Sequence, residues 1–477
     1  MSRRAFPETF LWGVASSGHQ VEGNNTTSDT WFAEHVVPSV FREPSGLACN
    51  SYALWREDVD LAAGLGLSAY RFSLEWARIE PVEGEFDDAA LAHYEGIVDR
   101  CLERGMAPVV TFNHYTSPHW FAARGSWLDP GAPALFARYC DKVMATFGDR
   151  IAYAITLNEP NLPRLLTWFG LPDAVRDLER ATILAATEAA GVERYRLSSV
   201  MLPEELDEMA EAMEAGHRAA RTAIKARRPD LPVGLSLAIT DDMVFGEDPS
   251  LRDRKRQDVY ARWLQVARED DFVGVQNYER TWYDAHGEVG PDGGPAPEGL
   301  FSAVDPASLA GAVSYAHAQT GVPVMVTEHG RATDRRHRAR SLHRTLPQRA
   351  PGRHRARRPG ARLLPLVVDG QLRVALRLHR PSRAPRRGPR VLRAHPQAQR
   401  RGLRCHRPIR GRRARPLTCN TTSSGLAVVG LPASQGAPAF DAREVSSPTL
   451  TCGVVGRVTT QGSDLRRCES SAAAVPR

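Results

Sequence analysis

Ala152–Pro160 reads AYAITLNEP and Val322–Gly330 reads VPVMVTEHG. Each is a short apolar, β-branched run that stops on a glutamate, Glu159 in the first and Glu328 in the second. Runs of this length and composition read as buried strands. A carboxylate at the end of such a strand is costly unless it is paired or used in chemistry. Five more runs share the pattern: Phe10–Ser17, Ala69–Trp76, Ala107–Tyr115, Pro232–Thr240 and Asp271–Tyr278. Amphipathic segments lie between them, at Asp87–Arg104, Pro133–Gly148, Glu204–Arg228 and Ser308–Thr320. In the first of these, Leu91, Tyr94, Ile97, Val98 and Cys101 recur at helical spacing. Pro133 suits a first helical position, and Gly105, Gly148 and Gly321 stand where helices end. Strands alternating with helices imply parallel strands joined by crossovers, an α/β fold.

Polar residues gather at the C-terminal ends of the runs: His114, Asn158, Glu159, Asn277, Tyr278 and Glu328. A (β/α)8 TIM barrel builds its site from those ends. A doubly wound sheet would carry a Gly-rich phosphate turn after its first strand, whereas Phe10–Ser17 runs into Gly18, His19 and Gln20. The barrel is therefore expected, with strands 1–7 legible. An eighth should follow Glu328, and none can be read.

Two carboxyl groups at the ends of non-adjacent barrel strands are what cleavage of a glycosidic bond requires. One protonates the leaving oxygen, and the other attacks the anomeric carbon or activates water. On spacing alone a strand-ending Glu in a surface loop is the rival explanation. The surrounding motifs decide between them. TLNEP closely resembles the acid/base motif of glycoside hydrolase family 1, the β-glucosidase family, and VTEHG resembles its nucleophile motif, usually TENG. FPETFLWGVASSGHQVEG resembles the family's first strand with its sugar-binding Gln, here Gln20. LGLSAYRFSLEWARIEP resembles the second, with Arg71 beside the nucleophile, and VTFNHYTSPHW the third, with His114 as the sugar-binding His. DFVGVQNY resembles the sixth-strand pattern, with Tyr278 bonding the nucleophile. The resemblance spans roughly residues 6–334.

It implies a retaining double displacement, with Glu328 as nucleophile, Glu159 as acid/base and carboxyls about 5–5.5 Å apart. Glu159 should be protonated at rest and Glu328 ionised. Arg71 and Tyr278 should favour the charged Glu328, whose charge should raise the proton affinity of Glu159. Gln20, His114, Tyr115, Asn158, Gln276 and Tyr278 are the implied substrate-binding residues. Three positions depart from the family: Tyr115 where Trp is usual, Gln276 for Asn and His329 for Asn. Each keeps a polar or aromatic group, so altered affinity is expected rather than altered chemistry. No metal or organic cofactor is implied. The implied partner is a small β-glycoside, with no nucleic acid and no membrane, and oligomeric state is not legible.

The chain changes character after Ala332. Between 335 and 415 there are 27 arginines, no lysine and one acid, Asp369, although the whole chain carries only +7. The remainder is therefore acidic. No Phe, Trp or Tyr falls between Tyr315 and Phe440, and 416–477 is rich in Ser, Thr, Ala, Gly and Val. Such sequence buries too little apolar surface to offset chain entropy. Three regions are expected: an incomplete family 1-like barrel over 1–334, an Arg-rich segment over 335–415, and an irregular or disordered tail over 416–477. An Arg block without Lys or stacking aromatics is a poor nucleic-acid surface. A frameshift between about Gly330 and Arg336 accounts for it better. Leu363–Ala375, LLPLVVDGQLRVA, can be spelled so that the next frame reads YFHWSLMDNFEW, which resembles the family's eighth-strand motif. Val391–Arg401 can likewise be spelled to read SFERTPKPSA in that same frame. Resequencing the gene there tests this: no lost or gained base, together with the same Arg tail in kin, overturns it.

As written, such a chain would lack its last strand and the sugar contacts it carries. Poor folding and little activity would follow, and a catalytically defective remnant is the alternative to an active glycosidase. The same gap leaves gluco, galacto, fuco and phosphorylated glycosides undistinguished. The seven cysteines form no C-x-x-C pair and read as reduced thiols, with Cys49, Cys101 and Cys140 expected in the core. The opening MSRRAFPETFLWG has no apolar signal region, and no apolar run of about 18 residues occurs. The cytoplasm is the expected location.

Overall fold

In the computed structural model, residues 10–297, 305–330 and the strand 456–458 are described. Seven strands stand side by side in chain order: β1 (Gly13–Ala15), β2 (Ala69–Ser73), β3 (Ala107–Asn113), β4 (Tyr153–Asn158), β5 (Val233–Ala238), β6 (Phe272–Asn277) and β7 (Val324–His329). All six pairings are parallel. With helices outside, they form a nearly closed (β/α)8-type barrel, as the alternation of runs predicts. The strands are shorter than the apolar runs. The first is trimmed most, because Ser17 already precedes a helical turn, α1 (Gly18–Glu22).

The two periodicities have separate destinations. Ala69, Val109, Ile155, Phe272 and Met325, one each from β2, β3, β4, β6 and β7, pack together inside the barrel. The opposite faces meet the helices in the main core. The expected helices form as α2 (Asp88–Glu103), α3 (Ala132–Phe147), α4 (Leu206–Arg227) and α5 (Ser308–Thr320). The Asp87 carboxylate caps α2 by accepting from the N–H groups of Ala89 (2.7 Å) and Ala90 (3.0 Å). All five apolar positions read from its sequence are buried. Pro133 lies in the first turn of α3. Gly321 ends α5 at φ +76°, the left-handed conformation that a residue with a Cβ adopts at a cost.

Beyond β5 and β6 the chain adds a small sheet of Asp241–Val244, Arg280–Tyr283 and Glu288–Val289. Among the described residues no eighth parallel strand lies between β7 and β1. The far edge of β7 instead pairs antiparallel with Gly456–Val458. The expected frameshifted segment, with Asp369 and the stretches 363–375 and 391–401, lies outside the described residues, as does almost all of the expected tail. Cys101 and Cys140 are buried reduced thiols, but Cys49 is only half-buried, so the core placement expected for it is corrected. Its neighbour Asn50 is a helix-flanking residue at φ +53°, which puts Cys49 in a turn rather than on a packed face. Among the described residues no helix is long and apolar enough to cross a membrane.

Candidate active site

Glu328 is completely buried at the end of β7. Three donors meet it. Arg71 Nη1 lies 2.6 Å from Oε1, Gln276 Nε2 lies 2.9 Å from Oε1, and the Tyr278 phenol donates to Oε2. Arg71 comes from β2 and is itself fully buried. Its remaining nitrogens are occupied: Nε donates to Thr111 Oγ1 at 3.0 Å and Nη2 to Asn158 Oδ1 at 2.5 Å. One guanidinium thus ties β2, β3, β4 and β7 together, and its planar fork suits that task.

Asn158, at the end of β4, accepts from Arg71 and from Gln276 Nε2 (2.6 Å). Its own amide lies 3.2 Å from His114 Nε2. Burial, and then the Arg71 charge, hold the His114 imidazole well below its ordinary proton affinity, so the ring is neutral. Since Nε2 accepts, the proton lies on Nδ1. That buried nitrogen has no partner among the described residues, leaving it able to donate to a ligand.

Glu159 follows Asn158 with φ +47°, a left-handed conformation rare for a residue with a side chain. Its N–H bonds Ser236 O of β5 at 2.7 Å, which turns the chain out of the strand. Tyr115 leaves β3 in the same way, at φ +69°, and its phenol donates to Glu159 Oε2.

The two carboxyls therefore sit in unlike surroundings. Burial first, and then the nearby Glu328 charge, raise Glu159 to about 8, opposed by the Tyr115 bond and Arg71. Burial also raises Glu328, but Arg71 and Tyr278 oppose it. A pair that titrates together shares its proton unequally. The proton belongs on Glu159, which has one donor, and the charge on Glu328, which has three. The Glu328 charge raises Glu159 as expected, and desolvation, which the sequence does not show, is the larger influence.

Arg71, His114, Asn158, Gln276, Tyr278 and Glu328 thus form one hydrogen-bonded group, with Tyr115 and Glu159 beside it. Gln20 is placed less directly. It is half-buried on α1, whose backbone is bound to the end of β2 by Gly18 N–H to Ser73 Oγ (2.7 Å) and His19 N–H to Glu75 Oε1 (2.9 Å). His329 is buried, with Nδ1 2.5 Å from Asn277 O, so this departure from the expected Asn also joins β7 to β6. Thr111, Ser236 and Thr327 were not legible as site residues. Thr111 orients Arg71. The Ser236 and Thr327 hydroxyls bond one another beneath Gln276. Gly274 admits that pair, since a Cβ there would lie 2.4 Å from Ser236 Oγ. Their signal is weak: small hydroxyl residues inside apolar strands. Among the described residues no group of three His, Cys, Asp or Glu side chains could hold a metal ion.

The family model described as Glycosyl hydrolase family 1 matches residues 2–185. Beta-glucosidase A of Thermotoga maritima is 37% identical over 167 residues, which are 34% of this chain and 37% of that protein. The cytosolic beta-glucosidase of Homo sapiens is 35% identical over 173 residues, again 34% of this chain and 37% of that protein. The chain thus matches little more than a third of the length of these curated relatives. Among solved structures, the beta-glycosidase BGL167 is 44% identical with a TM-score of 0.65, over 72% of this chain and 82% of that one. A beta-glucosidase designated 1317 is 33% identical with a TM-score of 0.64, over 71% and 83%.

Proposed function

The chain belongs to glycosyl hydrolase family 1, and from that membership we propose that it is a retaining β-glycosidase of the β-glucosidase type. The observation that carries the reading is the asymmetry of two buried carboxyls: Glu328 with three donors, Glu159 with one and a proton affinity raised to about 8. Glu328 attacks the anomeric carbon while Glu159 protonates the departing oxygen, giving a glycosyl-enzyme. Glu159, now a carboxylate, takes a proton from water, which attacks the same carbon and frees Glu328. Asn158 holds the hydroxyl beside the reacting carbon. His114 Nδ1, Gln20 and Gln276 hold others, and Arg71 and Tyr278 keep Glu328 charged. The substrate is a small β-glycoside, and the human relative's printed name supports a cytosolic setting.

The test uses the full chain with 4-nitrophenyl β-D-glucoside, following the first anomer released by proton NMR. The β anomer is expected, and the α anomer would refute retention. Glu328→Ala should abolish turnover, with azide partly restoring it. No rescue counts against the nucleophile assignment.

One observation favours a second reading. Among the described residues nothing closes the sheet between β7 and β1, and an open barrel exposes edges and core. On that reading the chain is a defective remnant with weak or no sugar binding. Absence of hydrolysis by folded full-length protein supports it, and turnover comparable to that of intact relatives excludes it.

A further inference from the structure

Glu159 is presented to the site by a single hydrogen bond. Among the described residues no side chain other than Tyr115 donates to its carboxylate. The charged and titratable groups around it are Glu328 with Tyr278, Arg71, and the neutral His114. The His114 and Tyr115 rings pack edge to face with centroids 5.0 Å apart at 88°, and Asn158 holds His114 in turn. The phenol is therefore buttressed rather than loose. Burial and the carboxylate charge push its own proton affinity well above the ordinary value, so it remains a donor through the working pH range.

A phenol has one proton to give. While it is donated to Oε2, that oxygen is best the carbonyl oxygen, the stronger acceptor of the two, which favours the carboxyl's own proton on Oε1. We propose that Tyr115 is a positioning residue for the acid/base: its phenol fixes the Glu159 carboxyl and assigns the transferable proton to Oε1. This rests on Glu159 being the acid/base. In the first step the Oε1–H bond breaks as an O–H bond forms on the leaving oxygen. Glu159 is left as a carboxylate, and the Tyr115 bond to Oε2 strengthens because its acceptor is now charged. In the second step a proton from water returns to Oε1. The same bond favours the charged form of Glu159, so the phenol limits how far burial can raise the acid.

The experiment titrates the full chain carrying 13C at glutamate Cδ, read by carboxyl chemical shift, with Glu159→Gln identifying the signal. The midpoint near 8 in the unsubstituted chain should rise in Tyr115→Phe by about one pH unit, a tenfold gain in proton affinity. Tyr115→Leu also lacks a donor and should give the same rise should Tyr115→Phe fail to fold. A midpoint that stays or falls overturns the proposal. A merely structural role would change the melting temperature or sugar affinity and leave the midpoint alone. The readout needs no turnover. If the chain hydrolyses glycosides, the alkaline limb of kcat/KM should move with the midpoint. If it does not, yet the midpoint moves, the functional reading fails and the positioning contact stands.

Discussion

Glu159→Gln should stabilise the fold, and by more as the pH rises. The Glu159 carboxyl is buried and ionises near 8 in the folded chain, against an ordinary value of 4.5. Between those values the unfolded chain has already lost the proton that the folded chain keeps, so each rise in pH favours unfolding. The slope is about 1.4 kcal/mol per pH unit, which by pH 8 amounts to a few kcal/mol at order-of-magnitude accuracy. Glutamine is close in shape, offers Tyr115 an acceptor oxygen, and does not titrate. The two proteins should match near pH 4.5 and diverge steadily to pH 8. Burial also raises Glu22, to about 7, and Asp29, to about 6. Both titrate in either protein, so their contributions cancel in the difference. Urea unfolding followed by tryptophan fluorescence at pH 5, 6, 7 and 8 measures the gap. A gap that stays flat across that range would refute the assignment of a raised, proton-holding Glu159. The same substitution should remove turnover of substrates with poor leaving groups, the trade of stability for activity seen at many active sites.

Arg71→Met leaves a wholly buried carboxylate without its cationic partner, which should cost about 3–5 kcal/mol of stability. It should also raise the proton affinity of Glu328, moving the acid limb of the pH–rate profile upward. An unmoved limb would argue against the pairing. Ile155→Ala empties a site inside the barrel against Val109, Phe272 and Met325 and should cost about 2–5 kcal/mol in a chemical melt, with smaller effect on the turnover of molecules that remain folded. His114→Ala should raise KM through loss of the Nδ1 donor. It should leave the pH profile unchanged, because burial and Arg71 already keep the ring neutral; a lost limb near pH 6 to 7 would show that His114 titrates.

The barrel was legible because parallel strands buried on both faces read as apolar runs, and the runs were spaced by helices whose buried stripe shows at 3.6 residues. The strand ends were less so. Phe10–Ser17 reads as one run, yet only Gly13–Ala15 pairs as a strand, since pairing depends on where β2 begins and not on local propensity. The left-handed backbones of Tyr115 and Glu159 had no sign at all: neither is Gly or Asn, and each is held by tertiary bonds. Tyr115 reads in the sequence as a sugar-binding aromatic, and its phenol also donates to Glu159. That contact joins residues 44 apart through two loops. The larger role of burial in raising Glu159 was invisible for the same reason, because desolvation belongs to the assembled site.

The side that the described residues leave open and the presence of both carboxyls are compatible because of where the site residues come from. Tyr115 follows β3, Asn158 and Glu159 stand at the end of β4, Gln276 belongs to β6, Tyr278 follows β6, and Glu328 ends β7. Strands β2 to β7 are each hydrogen-bonded to the next, so the arc that carries these groups is continuous. The pairing that is absent among the described residues lies outside it, between β7 and β1. Across that arc Arg71 reaches from β2 to Thr327 O and Glu328 of β7 and, on the way, to Thr111 and Asn158. It links the ends of the arc by charge-assisted bonds where, among the described residues, no ladder joins β7 to β1. Arg71 therefore does two things at once: it favours the charged form of Glu328 and braces a barrel that the described residues leave unclosed. In a barrel completed by an eighth strand the second role would be shared with backbone pairing, so the stability lost on removing Arg71 should be larger in this chain than in a closed relative.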